Sequence, residues 1–227
     1  MNTDKPLSFV AQRIILAKLN HCYDSVRIST GEIGASLGYG RAVIFPALKE
    51  LEAHKFIERI HGSGEHNHRV YVRWLIEQRP LWEAARPLLR NPVVRTYNIA
   101  TPEDIDAFIP STESLLPIHN PRYELHSVPT LAYRGASMSR SRNEALITRM
   151  QPTKAAYRCE FWRYPPLLPG KTEIDALSLY LACDTPHDPS LVLYRWILEE
   201  QFDWDGKRRF HKLKALRMPK SAHPGLR

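Results

Sequence analysis

The chain has 227 residues, 43% of them hydrophobic, and a formal charge of +8, which excludes a disordered polypeptide and allows one large or two small domains with a proper core. No apolar run approaches the roughly 18 residues that a membrane span needs, and no signal-peptide pattern opens the chain, so a cytoplasmic protein without a membrane partner is expected. Cys22, Cys159 and Cys183 are scattered and odd in number, which points to reduced, mostly buried thiols and away from a disulfide framework.

The first helix is expected over 6–22. Pro6 suits a first-turn position, where its missing N–H has no partner in any case. Phe9, Val10, Ile14, Leu16, Ala17 and Leu19 supply an apolar face at helical spacing. Val26 and Ile28 alternate around Arg27 as in a short strand. Ser29 and Thr30 offer hydroxyl caps to a helix reaching Leu37, with Ile33 and Leu37 on one face. Gly38 and Gly40 supply positive φ for a sharp turn. A second helix then runs to about His54, burying Ile44, Leu48, Leu51 and Phe56. Pro46 would cost about 3 kcal/mol in a helix interior, so the regular helix is expected to begin near Ile44. Strands at 57–61 and 69–74 flank a turn marked by Gly62, Ser63, Gly64 and Asn67.

Strand, helix, turn, helix and two-stranded wing over 26–74 together read as a winged helix-turn-helix, a unit that places its second helix in the major groove of duplex DNA. Phe45-Pro46-Ala47-Leu48, then Leu51-Glu52 and Phe56-Ile57, resembles the recognition-helix signature of PadR-type winged-helix repressors. The broader pattern is also similar to MarR-like regulators. The resemblance spans about residues 7–74 and departs at His54-Lys55, where such families commonly carry a glycine. It implies double-stranded DNA as partner and a homodimer on two half-sites. Arg41 and Lys49 are the candidate contacts on the second helix, with Ser36 and Tyr39 against the backbone. Arg59, His68 and Arg69 would place the wing, whose cluster also includes His61 and His66; a solvated hairpin is the other reading of that loop.

Between 79 and 92, Pro80, Pro87 and Pro92 punctuate short helical pieces. A strand is expected at 93–99. Thr101-Pro102-Glu103-Asp104 is a helix start that would carry to Phe108, followed by a short helix at 111–116. A strand at 130–134, a helix at 141–150, an aromatic-rich strand at 157–164 and helices at 174–183 and 190–202 complete the pattern. Few strands without regular β-α alternation make an α+β domain. Its CEFWRYPP, EIDALSLYLACD and WILEEQFDW segments resemble a C-terminal domain found on poorly characterised bacterial winged-helix proteins. Antitoxins of the abortive-infection type share that plan. The expected organisation is therefore a winged helix over 1–78, an α+β domain over 79–205 for a protein partner, ligand or dimerisation, and a basic arm over 206–227. Eight basic residues and no acid lie in that arm; without them the 32 basic residues fall to 24, equal to the 24 acids. Lys207, Arg208, Arg209, Lys212 and Lys214 are the arm's candidate phosphate contacts.

Catalytic chemistry finds no motif. His61, His66 and His68 lack the cysteine or carboxylate company of a zinc site. There is no CxxC, HExxH, Walker loop or GxGxxG. Cys159 and Cys183 read as inert core thiols. Ser137–Arg142 is a loop or an anion contact, and Glu173, Asp175, Asp203 and Asp205 are caps or solvated carboxylates. Phe161, Trp162, Tyr164, Tyr180, Trp196, Phe202 and Trp204 make a second core or line a ligand pocket. The expectation is a non-enzymatic bacterial transcriptional regulator, an autoregulating repressor, with no cofactor or metal. The alternative is an antitoxin-like or complex-assembly subunit, as in plasmid replication or phage defence, that holds DNA or a protein partner.

Overall fold

The computed structural model describes residues 5–23, 27–62, 69–99, 105–111, 130–136, 157–183, 202 and 204. The wing tip, residues 112–116, 141–150 and 190–201 of three expected helices, the serine-arginine run, Asp203, Asp205 and the basic arm lie outside them. The described elements are α1 (Phe9–Leu19), β1 (Arg27–Ser29), α2 (Thr30–Leu37), α3 (Arg41–Ala53), β2 (Ile57–His61), β3 (Val70–Trp74), α4 (Gln78–Ala85), β4 (Val93–Ile99), β5 (Phe108–Pro110), β6 (Thr130–Tyr133), β7 (Tyr157–Trp162) and α5 (Ala176–Ala182). The architecture is α+β, with two sheets. The first is antiparallel in the order β1-β3-β2; the second runs β4-β7-β6-β5, with one parallel pair, β6 and β7.

Helix α1 starts later than the proline suggests. Ser8 is its N-cap, accepting the Ala11 N–H through its hydroxyl at 3.3 Å. Ser8 also donates its backbone N–H and its hydroxyl to the Glu50 carboxylate on α3, at 2.9 and 2.6 Å. One carboxylate thus fixes where α1 begins and how it meets α3. Pro6 is left outside the helix, before the cap.

Every residue of α1 from Ala11 to Leu19 is buried, including Gln12, Arg13 and Lys18. A helix buried all round has neighbours on every side. On one side Ile14, Ile15 and Leu16 belong to a core with Ile33, Ile44, Leu48 and Leu51. The same cluster continues without a break through Trp82, Trp162, Tyr164, Leu168, Leu177 and Phe202. Residue 78 opens α4, so the chain passes into its second half through this shared core.

Polar groups hold the junction. The Gln12 amide donates to the Arg90 carbonyl and to the Tyr164 hydroxyl, both at 2.9 Å, and its oxygen accepts the Arg90 N–H at 2.9 Å. Arg13 donates to the Leu37 carbonyl at 2.9 Å and to the Leu167 carbonyl at 3.3 Å. Asn20 donates to the Asp175 carboxylate at 2.9 Å, and that carboxylate caps α5 by accepting the Leu177 and Ser178 N–H groups. Asp175 is therefore the cap of α5, one of its two expected roles.

In the second sheet, β7 alternates. Cys159 and Phe161 meet Phe108 and Leu131 in an aromatic cluster on one face, while Trp162 enters the shared core. Glu160, buried between neighbours, accepts hydrogen bonds from Ser111 at 2.7 Å and the Trp162 indole at 3.2 Å. Burial pushes the Cys159 thiol up to about 12, which suits the inert role expected of it. The start of the helix expected to reach Phe108, residues 101–104, lies outside the described residues; the described part is a 3₁₀ turn, Ile105–Ala107, and Phe108 begins β5. Phe108 pairs with Tyr133, and burial of Phe108 and Ile109 in the sheet outweighs the local helix signal.

Gln12→Leu tests the junction. On a half-exposed helix this exchange would be neutral. Here it orphans the Arg90 N–H, the Arg90 carbonyl and the Tyr164 hydroxyl, and a loss of about 2–4 kcal/mol in urea unfolding is expected.

Candidate nucleic-acid interface

The hydroxyl cap expected for α2 is Ser29. It accepts the Glu32 N–H, while the Glu32 carboxylate accepts the Ser29 N–H at 2.8 Å, a reciprocal capping box. These bonds, the Ser29 side chain first, hold the Glu32 carboxyl below its ordinary value, and the charge of exposed Arg69 adds slightly. The turn to α3 uses one positive φ, at Gly38 (72°), whereas Gly40 has φ −72° and is the N-cap of α3. Gly40 therefore serves as a cap, without the left-handed backbone expected of it. Gly34 is the tight point. A Cβ there would lie 2.7 Å from the Tyr39 carbonyl oxygen and 3.4 Å from the Ile44 side chain, so only hydrogen lets α2 approach the start of α3 so closely.

α3 is regular from Arg41, earlier than Pro46 suggests. Pro46 therefore sits in the second turn and denies a hydrogen bond to the Ala42 carbonyl. Both residues are on the exposed side, where solvent can take the freed oxygen. The inner face carries Ile44, Ala47, Leu48 and Leu51, all buried. The outer face carries Ala42, Val43, Pro46, Lys49 and Ala53, all exposed, with Arg41 at its N-terminal end.

The sequence candidates separate into three groups. Arg41, Lys49 and Arg69 are exposed cations; the Arg41 guanidinium stands 5.3 Å from the Phe45 ring centre. Ser36 is exposed on α2, with its hydroxyl donating to the Ile33 carbonyl at 3.0 Å. Tyr39 and Arg59 are engaged inside the protein. The Tyr39 ring is half-buried with the Arg13 guanidinium 5.4 Å from its centre. Arg59 donates through Nε and Nη2 to the Glu52 carboxylate at 2.8 and 2.5 Å, and its N–H reaches the same group at 3.1 Å. Arg59 thereby fastens β2 to α3. His68, Lys207, Arg208, Arg209, Lys212 and Lys214 lie outside the described residues.

Charge around α3 is decided by which acids are already occupied. Between 27 and 62 the acids are Glu32, Glu50, Glu52 and Glu58. They are engaged respectively by Ser29, Ser8, Arg59 and Arg73. Arg41, Lys49 and Lys55 form no ion pair among the described residues. The serine hydrogen bonds leave Glu32 and Glu50 anionic and only Glu52 and Glu58 are paired with a cation, so Arg41, Lys49 and Lys55 stand against two remaining carboxylates. Sequence reasoning missed the Ser8–Glu50 and Arg59–Glu52 bonds, since neither helical spacing nor charge pattern pairs groups across separate elements.

Among the described residues no group of three His, Cys, Asp or Glu could hold a metal ion, and no helix is long and apolar enough to cross a membrane. Compared with known family models, curated proteins and solved structures, the chain matches none.

Two measurements test this local architecture. Gly34→Ala should cost about 1–3 kcal/mol of stability, because its methyl must displace backbone at the turn. Hydrogen bonding from Arg59 holds the Glu52 carboxyl below its ordinary 4.5. A folded value below the unfolded one contributes stability that is present above about pH 4.5 and is lost as pH falls through the folded value. Glu52→Gln should therefore shrink the difference between urea midpoints at pH 7 and pH 3.5; an unchanged difference would remove Glu52 from the acid response.

Proposed function

We propose that this chain binds duplex DNA through a winged helix-turn-helix formed by α1, β1, α2, α3, β2 and β3, and acts as a bacterial transcriptional regulator that represses its own expression. The observation that carries the reading is the outward face of α3: a helix held by its inner side, exposed on the other, with Arg41 and Lys49 exposed and in no ion pair among the described residues while Glu52 and Glu58 are paired with arginines. The β1-β3-β2 order places β3 between the other two strands, so the hairpin that follows α3 is continuous with the sheet beside it. In this reading α3 enters the major groove, Lys49 and Arg69 approach phosphates, and the basic arm adds attraction that does not depend on sequence. Tyr39 and Arg59 act as supports for the interface. A homodimer would place two α3 helices on successive half-sites.

A second reading is an assembly subunit that grips DNA, or a protein partner, inside a larger complex. The sequence of α3 favours it, because RAVIFPALKELEA offers no Ser, Thr, Asn, Gln or His for base-edge hydrogen bonds.

Fluorescence anisotropy against the duplex upstream of the coding region and an unrelated duplex, at several salt concentrations, separates the readings. The regulator prefers its own upstream duplex, also when the chain ends at Asp205. Equal, salt-labile binding to both duplexes points to the assembly subunit. Lys49→Ala should weaken binding to both and lower the slope of log K against log salt by about 1.

A further inference from the structure

The outer face of α3 is apolar where a groove-reading helix is expected to be polar. Val43 is 44% exposed, and Val43 and Leu75 are the exposed large hydrophobic residues among the described part of the chain. Ala42 and Pro46 lie beside Val43 on the same exposed surface, one turn apart. Arg41 and Lys49 bracket this patch along the helix. The inner side of the helix already satisfies the core through Ile44, Leu48 and Leu51, so Val43 is not needed there.

An apolar patch between two cations matches a particular chemistry in the major groove. Base edges there present hydrogen-bond donors and acceptors, with one apolar group, the C5-methyl of thymine. We propose that α3 reads thymine by its methyl group. Ala42, Val43 and Pro46 pack on one or more C5-methyls, and Arg41 and Lys49 neutralise the phosphates on either side. This inference rests on the duplex-binding reading above and specifies its target: a half-site rich in A·T pairs, with thymines on the strand facing Val43. Small Ala42 lets the helix approach, and the alkyl surfaces of Val43 and Pro46 exclude water from the methyl. The cations supply attraction without selecting a base, so selectivity comes from buried methyl area.

The test uses the full chain and five 24-base-pair probes measured by anisotropy at two salt concentrations. They are a mixed A·T duplex, the same duplex with uracil in place of every thymine, a mixed G·C duplex, its 5-methylcytosine counterpart, and the upstream duplex. Uracil differs from thymine only by the missing methyl, and 5-methylcytosine places a methyl in the same groove. The thymine duplex should bind more tightly than the uracil duplex by about fourfold per contacted methyl, roughly fifteenfold for two. The methylated G·C duplex should bind more tightly than the unmethylated one. Val43→Ser should bring the thymine-to-uracil ratio towards one with the salt dependence kept. Lys49→Ala should weaken both duplexes and keep the ratio. Tight binding with equal affinity for thymine and uracil duplexes overturns methyl readout and leaves duplex binding standing. No binding to any probe at low salt overturns the duplex-binding reading itself, and the methyl inference with it.

Discussion

Helix α1 carries Gln12, Arg13 and Lys18 within a fully buried run, and the rest of the structure is arranged around satisfying them. Burying a cation costs several kcal/mol unless its donors find acceptors. Arg13 meets part of this cost with the Leu37 and Leu167 carbonyls and with the faces of Tyr39 and Tyr164, while its Nε–H has no acceptor among the described residues. Lys18 reaches Glu77 at 3.1 Å and lies over the Trp74 ring. Each arrangement draws on groups distant in sequence. Were α1 packed only against α2 and α3, Gln12 would lose its Arg90 and Tyr164 partners and Asn20 would lose Asp175. The two halves of the chain therefore share a core in which the second half supplies partners for the polar side chains of α1.

That constraint also determines what α3 can present. Ser8 ties the start of α1 to Glu50, and Arg13 ties the middle of α1 to the carbonyl that ends α2. Gly34 brings α2 against the Tyr39 carbonyl. With its inner face and both flanks fixed in this way, α3 has one free surface, the strip through Ala42, Pro46, Lys49 and Ala53. Arg59 then anchors the hairpin to the same helix through Glu52. Positioning by buried or half-buried bonds leaves the exposed cations available for a polyanion.

Much of this was legible in local sequence. The Ser29 cap, the αL turn at Gly38, the strands flanking residues 62–69 and the buried positions Ile44, Leu48 and Leu51 follow from spacing and cap chemistry. Pro6 suggests a start two residues before the Ser8 cap, and that cap is held by the Glu50 carboxylate, which is distant in sequence. Phe108 went from helix to strand for a similar reason, since its partner Tyr133 is distant in sequence. The burial of Gln12 and Arg13 is not visible in local sequence, because polar residues on an amphipathic helix normally mark the solvent side; here the second half of the chain covers that side. For the interface, Arg41 and Lys49 were identifiable as cations on a helix. The inward engagement of Tyr39 and Arg59 was not, because exposure depends on partners that composition does not reveal.

Helix α1 packs into one core with elements from both halves of the chain, and the exposed strip of α3 lies outside that core. The most direct measurement is amide hydrogen exchange of the full chain with and without the upstream duplex at low salt. Use of the α3 face predicts slowed exchange at residues 39–49 and 69–74, where backbone approaches the DNA, with β4 and β7 unchanged. Slowed exchange confined to β4 and β7, with α3 unaffected, would contradict it and move the binding surface to the second sheet.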